Sequence, residues 1–151
     1  AQKKFRHAAY HIELYNEKNT LILTKEGTVS YNPTNGTFTG TLSLNGMQNG
    51  LYLIKIKTNQ FLNAFLPGIQ QITAGTTNQL SSVTLATGDI NGDNTLNILD
   101  YHLLMGCYSD LLPAQSCTEE NKHFADLNDD GNVNQYDYNV FIRELSVIQG
   151  S

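Results

Sequence analysis

The 151-residue sequence has no apolar run approaching the length of a membrane span, so no helical crossing of a bilayer is expected. It has no signal-peptide pattern either, and its first residue reads as a processed terminus. Catalytic signatures are missing: there is no Gly-x-Ser-x-Gly elbow, no His-Glu-x-x-His helix and no phosphate loop. Basic residues are scattered rather than clustered, which excludes a nucleic-acid footprint. Cysteine is scarce, with Cys107 and Cys117 alone, ten positions apart.

Charge is divided unevenly. Residues 1–86 carry seven Lys and Arg against three Asp and Glu, net +4, whereas residues 87–151 carry two against eleven, net −9. The pattern changes at the same place, from short β-type runs to helical periods, so two domains are expected, residues 1–86 and 87–151.

The acidic residues of the second half are ordered. Two twelve-residue stretches, Asp89-Ile-Asn-Gly-Asp-Asn-Thr-Leu-Asn-Ile-Leu-Asp100 (loop one) and Asp126-Leu-Asn-Asp-Asp-Gly-Asn-Val-Asn-Gln-Tyr-Asp137 (loop two), each place Asp at 1, Asn at 3, Asp at 5, Asn at 9 and Asp at 12. That spacing turns oxygen inward around one point, which suits Ca²⁺, a hard ion with about six to eight oxygen ligands. The expected ligands in loop one are the side chains of Asp89, Asn91, Asp93 and Asp100, the carbonyl of Thr95, and Asn97 directly or through water. Loop two repeats them with Asp126, Asn128, Asp130, Asp137, the carbonyl of Asn132, and Asn134. Position 6 requires positive φ, which Gly131 adopts freely and Asn94 tolerates. Without metal the six ligand carboxylates would repel one another, and Mg²⁺ prefers a tighter, more hydrated octahedron. Two calcium ions are therefore expected.

Position 12 is Asp rather than the usual Glu, and residues 82–88 read as strand and turn instead of an entering helix. Duplicated loop-plus-exit-helix units with Asp at position 12 resemble the dockerin family, over residues 87–148. The resemblance implies calcium-dependent docking onto a cohesin-like protein. Dockerins commonly meet that partner around loop positions 10 and 11, here Ile98 and Leu99 in one copy and Gln135 and Tyr136 in the other. Cellulosomal members often carry hydroxyl residues there, so partner specificity does not transfer. Gln135 and Tyr136 are the expected contacts, with Ile98 and Leu99 expected to be buried against the first domain.

The exit helices are predicted over residues 98–105, with Leu99, Leu103 and Leu104 inward and a stop at Gly106, and over 134–145, with Tyr138, Phe141, Ile142 and Leu145 inward. A short helix is predicted from Thr118 to about residue 124, its hydroxyl cap followed by two acids. Cys107 and Cys117 form a disulfide in an oxidising compartment, or stay as free thiols in a reducing one. Oxygen-rich calcium loops fit an extracellular or cell-surface location.

The first half reads as about seven short strands. The β-type runs that supply them are residues 4–15, 21–24 and 28–31 on either side of a break at Glu26-Gly27, then 37–44 after a hairpin turn at Asn35-Gly36, 51–57, 61–65, 69–73 and 80–85. The run Asn49-Gly-Leu-Tyr-Leu-Ile-Lys-Ile-Lys57 resembles carboxypeptidase regulatory-like and transthyretin-like sandwiches. The fold class is thus two-domain: an all-β sandwich, Ig-like or prealbumin-like, followed by a small helical dockerin-like domain with two calcium loops.

His7 and His11 share a strand face but lack further ligands and read as solvated. Lys3, Lys4 and Asn78 could supply an isopeptide bond, with nothing to fix them as partners. The chain reads as a non-enzymatic extracellular calcium-binding protein that attaches to a cohesin-like partner. The alternative is a self-assembling subunit of a filament or surface layer, whose first strand adds to a neighbouring copy.

Overall fold

The structure, a computed structural model, describes residues 8–149. Within these the chain divides into two compact units, one of residues 8–58 and 63–85, the other of residues 59–62 and 86–149. The elements in order are β1 (Ala8–Tyr15), β2 (Leu21–Asn32), β3 (Thr37–Thr39), β4 (Gly50–Thr58), β5 (Gln60–Phe61), β6 (Ala64–Phe65), β7 (Gln70–Ile72), β8 (Thr87–Asp89), α1 (Ile98–Cys107), α2 (Glu119–Ala125) and α3 (Gln135–Gln149).

In the first unit β3, β2, β1, β4 and β6 lie side by side in one antiparallel sheet, and β7 also pairs with β4. The register sets Leu14 between Leu23 and Ile54, and Ile12 opposite Ile56. Alternation along the strands then gathers Ile12, Leu14, Tyr52, Ile54 and Ile72 into a core completed by Met47 and Leu66. Glu13, one residue out of phase, instead meets the ammonium of Lys57 at 2.7 Å.

The strand-rich character expected of this half is present as a single curled sheet. The strand expected over 80–85 is irregular chain, although Leu80 and Val83 still pack on the core, as do Leu42 and Leu44 from the segment after β3. Packing of scattered apolar side chains thus covers the sheet without ladder hydrogen bonds. The strand expected over 37–44 stops at Thr39, and the next residue, Gly40, lies so close to β2 that a Cβ would stand 2.5 Å from the Thr28 carbonyl oxygen. The expected break at Glu26-Gly27 does not occur. Gly27 pairs with Tyr10, and the Tyr10 ring fills the space a Cβ would need, with its hydroxyl at 2.9 Å. The expected first strand begins at residue 4; residues 4–7, including His7 and Lys4, lie outside the described residues, as does Lys3.

In the second unit β5 pairs antiparallel with β8, ahead of the three helices. Its core joins Ile90, Leu96, Leu104, Cys107, Ala125, Val133 and Phe141, with Leu62, Tyr138 and Leu145 at the margin. Cys107 and Cys117 are joined in a disulfide that ties the end of α1 to the residue before the α2 cap. Closing so short a loop contributes about 2 to 3 kcal/mol. Thr118 caps α2 as expected, accepting from the N–H of Asn121 at 3.1 Å.

Two inward assignments are corrected. Leu99 and Ile142 are exposed, because the buried stripes run through Asp100, Leu104 and Cys107 on α1 and through Asp137 and Phe141 on α3, positions three or four residues apart. Helix α1 also continues through Gly106 to Cys107. Leu14 and Ile54 are fully buried and directly paired. Leu14→Ala is expected to lower the stability of the first unit by about 2 to 5 kcal/mol, read from its urea unfolding transition.

Candidate metal centre

Each acidic stretch folds into a closed loop because its own side chains bind its own backbone. In loop one the N–H of Asp93 donates to Asn91 Oδ1 at 3.0 Å, and that of Thr95 to Asp93 Oδ1 at 2.8 Å. These are turns in which a short polar side chain replaces a backbone acceptor two residues away. The N–H of Asn94 reaches across to Asp89 Oδ2 at 2.9 Å. Asp100 closes the loop, accepting from Ile90 and Asn91 on one oxygen (2.8 and 3.2 Å) and from Asn97 on the other (3.0 Å). Asn97 in turn accepts from the N–H of Leu99 at 2.7 Å, so Asn97 and Asp100 form the capping box of α1.

Loop two repeats these bonds 37 residues later. Asp130 donates its N–H to Asn128 Oδ1 at 3.0 Å, Asn132 to Asp130 Oδ1 at 2.9 Å, and Gly131 to Asp126 Oδ2 at 2.7 Å. Asp137 accepts from Asn128 at 3.1 Å and from Asn134 at 2.9 Å, and Asn134 accepts from Tyr136 at 2.8 Å. Position 6 has positive φ in both loops, +63° at Asn94 and +91° at Gly131. So does position 4, with Gly92 at +74° and Asp129 at +58°. The glycine of loop one signals that second turn; the aspartate of loop two does not.

These turns bring carboxylates together. Oxygens of Asp89, Asp93 and Asp100 lie within 4.8 Å of one another, Asp89 and Asp100 buried and Asp93 exposed. Asp89 Oδ1 is buried and, among the described residues, has no hydrogen-bond partner. Burial pushes the Asp89 carboxyl above the usual carboxylate range; the charges of Asp100 and Asp93 add to this, and the N–H groups of Asn94 and Gly92 oppose it. Asp126 is raised in the same way, by burial first and then by Asp137 and Asp130, against the N–H groups of Gly131 and Asp130. Asp137 is raised by burial and by Asp130, against the N–H groups of Asn134, Asn128 and Leu127. In loop one an oxygen-only donor set with an unpartnered buried oxygen fits a hard divalent cation, which would favour the charged form of Asp89.

Residues 87–146 match the family described as the dockerin type I domain. They form a dockerin-like domain. No curated protein matches the chain. Among solved structures, a chain from a C-terminal interface mutant of the type II cohesin–X-dockerin complex of Acetivibrio cellulolyticus is similar in fold. Its TM-score is 0.51 over 88% of this chain and 79% of that one, at 17% identity.

In the dockerin-like domain the residues at loop positions 10 and 11 all face outward. Ile98 and Leu99, expected to be buried, are 61% and 55% exposed, since the buried stripe of α1 begins with Asp100. Tyr136 is 68% exposed, and with Gln135 it lines an open depression of about 360 Å³ shared with Ser109, Asp110, Asn132 and Asn134. His11, one of the two histidines considered, lies 3.9 Å from Glu26. Asn78 is engaged in its own turn, accepting from the N–H of Thr73 at 2.9 Å.

The raised carboxyls fix the sign of a pH effect. The metal-free folded domain holds protons more tightly than the unfolded chain, so this contribution is full below the ordinary carboxylate value of about 4 and is lost as pH rises through the raised values. In excess chelator the melting temperature of the dockerin-like domain is expected to be higher at about pH 5 than at about pH 7.5. A thermal scan followed by circular dichroism measures it, and a lower value at the acidic pH would contradict the assignment.

Proposed function

We propose that the dockerin-like domain is a calcium-stabilised, non-catalytic attachment module that binds a cohesin-like protein outside the cell. Two Ca²⁺ ions are assigned, one to each loop. Loop one offers the side chains of Asp89, Asn91, Asp93 and Asp100, the carbonyl of Thr95, and Asn97 directly or through water. Loop two offers Asp126, Asn128, Asp130, Asp137, the carbonyl of Asn132, and Asn134. The observation that carries this reading is the recurrence of one hydrogen-bond frame in both loops, ending each time on a buried aspartate that opens an exit helix. Bound ions would neutralise carboxylates that burial and mutual repulsion otherwise disfavour as anions.

The partner assignment rests on the family match and on fold similarity to a chain of a cohesin–X-dockerin complex. Gln135 and Tyr136 are proposed as its contacts. Ile98 and Leu99, at the same positions of the first repeat, are exposed as well. The disulfide and the calcium-type loops both support an extracellular or cell-surface setting.

Equilibrium dialysis is expected to find two Ca²⁺ bound per chain, and Asp100→Ala or Asp137→Ala should each remove one. With calcium removed, the dockerin-like domain should melt at a lower temperature while the transition of the sheet unit stays where it was. An unchanged melting curve in chelator would refute the metal assignment.

Immobilised protein should retain a partner from the native cell-surface fraction with calcium and release it with chelator. Tyr136→Ala should weaken that capture without changing the number of ions bound. Retention insensitive to chelator would refute the docking role.

A further inference from the structure

Gln60 sits far from both loops in sequence, yet it touches the first residue of each. Its main chain pairs with Asp89, position 1 of loop one, in the β5–β8 ladder. The hydroxyl of Thr87 donates to the Gln60 carbonyl at 3.3 Å, and the N–H of Leu62 donates to the Ala86 carbonyl at 2.8 Å, which ties both ends of the short ladder. Its side-chain amide donates to two carbonyls at once, Phe124 O and Asp126 O, each at 2.9 Å. Asp126 is position 1 of loop two. Phe124 lies in the last turn of α2, where carbonyls have no partner within the helix, so Gln60 caps α2 and holds the entry to loop two with one group.

The backbone at Gln60 is strained to make this reach. Its φ is +73°, a left-handed conformation that a residue other than glycine keeps where the surroundings over-determine it. The ladder register also slips between Gln60 and Phe61, a bulge of the kind that re-aims a side chain. Leu62, two residues on, anchors the segment in the core of the dockerin-like domain.

We infer that Gln60 is a positioning residue that couples the two metal loops, so that occupation of one tightens the other. The inference rests on the calcium reading proposed above. Ordering Asp126 at the start of loop two fixes the carbonyl that Gln60 holds; Gln60 in turn fixes the main chain at Asp89, which starts loop one. A link of this kind is reciprocal, because each loop must change the other's affinity by the same factor.

Calcium titrations of the full chain test it. In the natural sequence, Asp93→Ala, which disables loop one, should weaken loop two by about five-fold or more. Combined with Gln60→Ala or with Gln60→Glu, a variant of similar size that cannot donate to the two carbonyls, Asp93→Ala should leave the remaining site within about two-fold of its Gln60-variant value. A residue that merely supported the fold would weaken both sites and leave their coupling intact, and that result would overturn the inference. Two ions binding independently in the natural chain would overturn it while leaving the calcium reading in place; no binding at all would remove both. A measurement without substitution is also available, since both Gln60 amide protons are bonded and should exchange slowly with water in the NMR spectrum of the metal-free chain. Exchange as fast as that of an exposed glutamine would count against the inference.

Discussion

Like charges held close together, with backbone N–H groups turned toward them, set the terms for the dockerin-like domain. Asp89, Asp93 and Asp100 bring their oxygens within 4.8 Å, and two of the three are buried. Left as anions without a counterion, they would favour an open chain. What holds them is a ring of main-chain donors: Ile90, Asn91 and Asn97 to Asp100, Asn94 to Asp89, Thr95 to Asp93. At Asp89 the bond from Asn94 opposes the effect of burial without abolishing it, and the arrangement is suited to a cation at its centre.

The same residues connect the loops to the core. Asp100 and Leu104 stand four positions apart on α1, and Asp137 and Phe141 four apart on α3, all fully buried. A helix that turns its aspartate into the loop must therefore turn its large apolar side chain into the core. A small unit cannot bury much apolar surface, so its order leans on polar loops, a disulfide and any bound ion. Reading the loops as separate from the core would miss that one helical face serves both.

The residues of the loops were legible because their constraint is local. A turn made by Asn91 or Asp130 on its own backbone depends on neighbours two to five positions away, so spacing alone locates it. Exposure was less legible. The difference between Leu99 and Leu104 is one of angle around the helix, and an apolar residue at the first turn carries no mark of which way it points. The first half was legible as extended chain, with β4 close to its expected bounds, but its pairing was not. Glycine at position 27 reads as a break in isolation, and becomes part of an unbroken strand because Tyr10 lies across it.

By itself the sequence determined the duplicated oxygen-rich loops, their positive-φ turns at Asn94 and Gly131, and the helices that leave them, since each follows from interactions within a dozen residues. Only the tertiary structure decided that the sheet is covered by irregular chain, that Ile98 and Leu99 face outward, and that Gln60 joins the dockerin-like domain. Those outcomes depend on contacts between residues far apart in the chain, such as the one from Gln60 to Asp126, which no local pattern encodes.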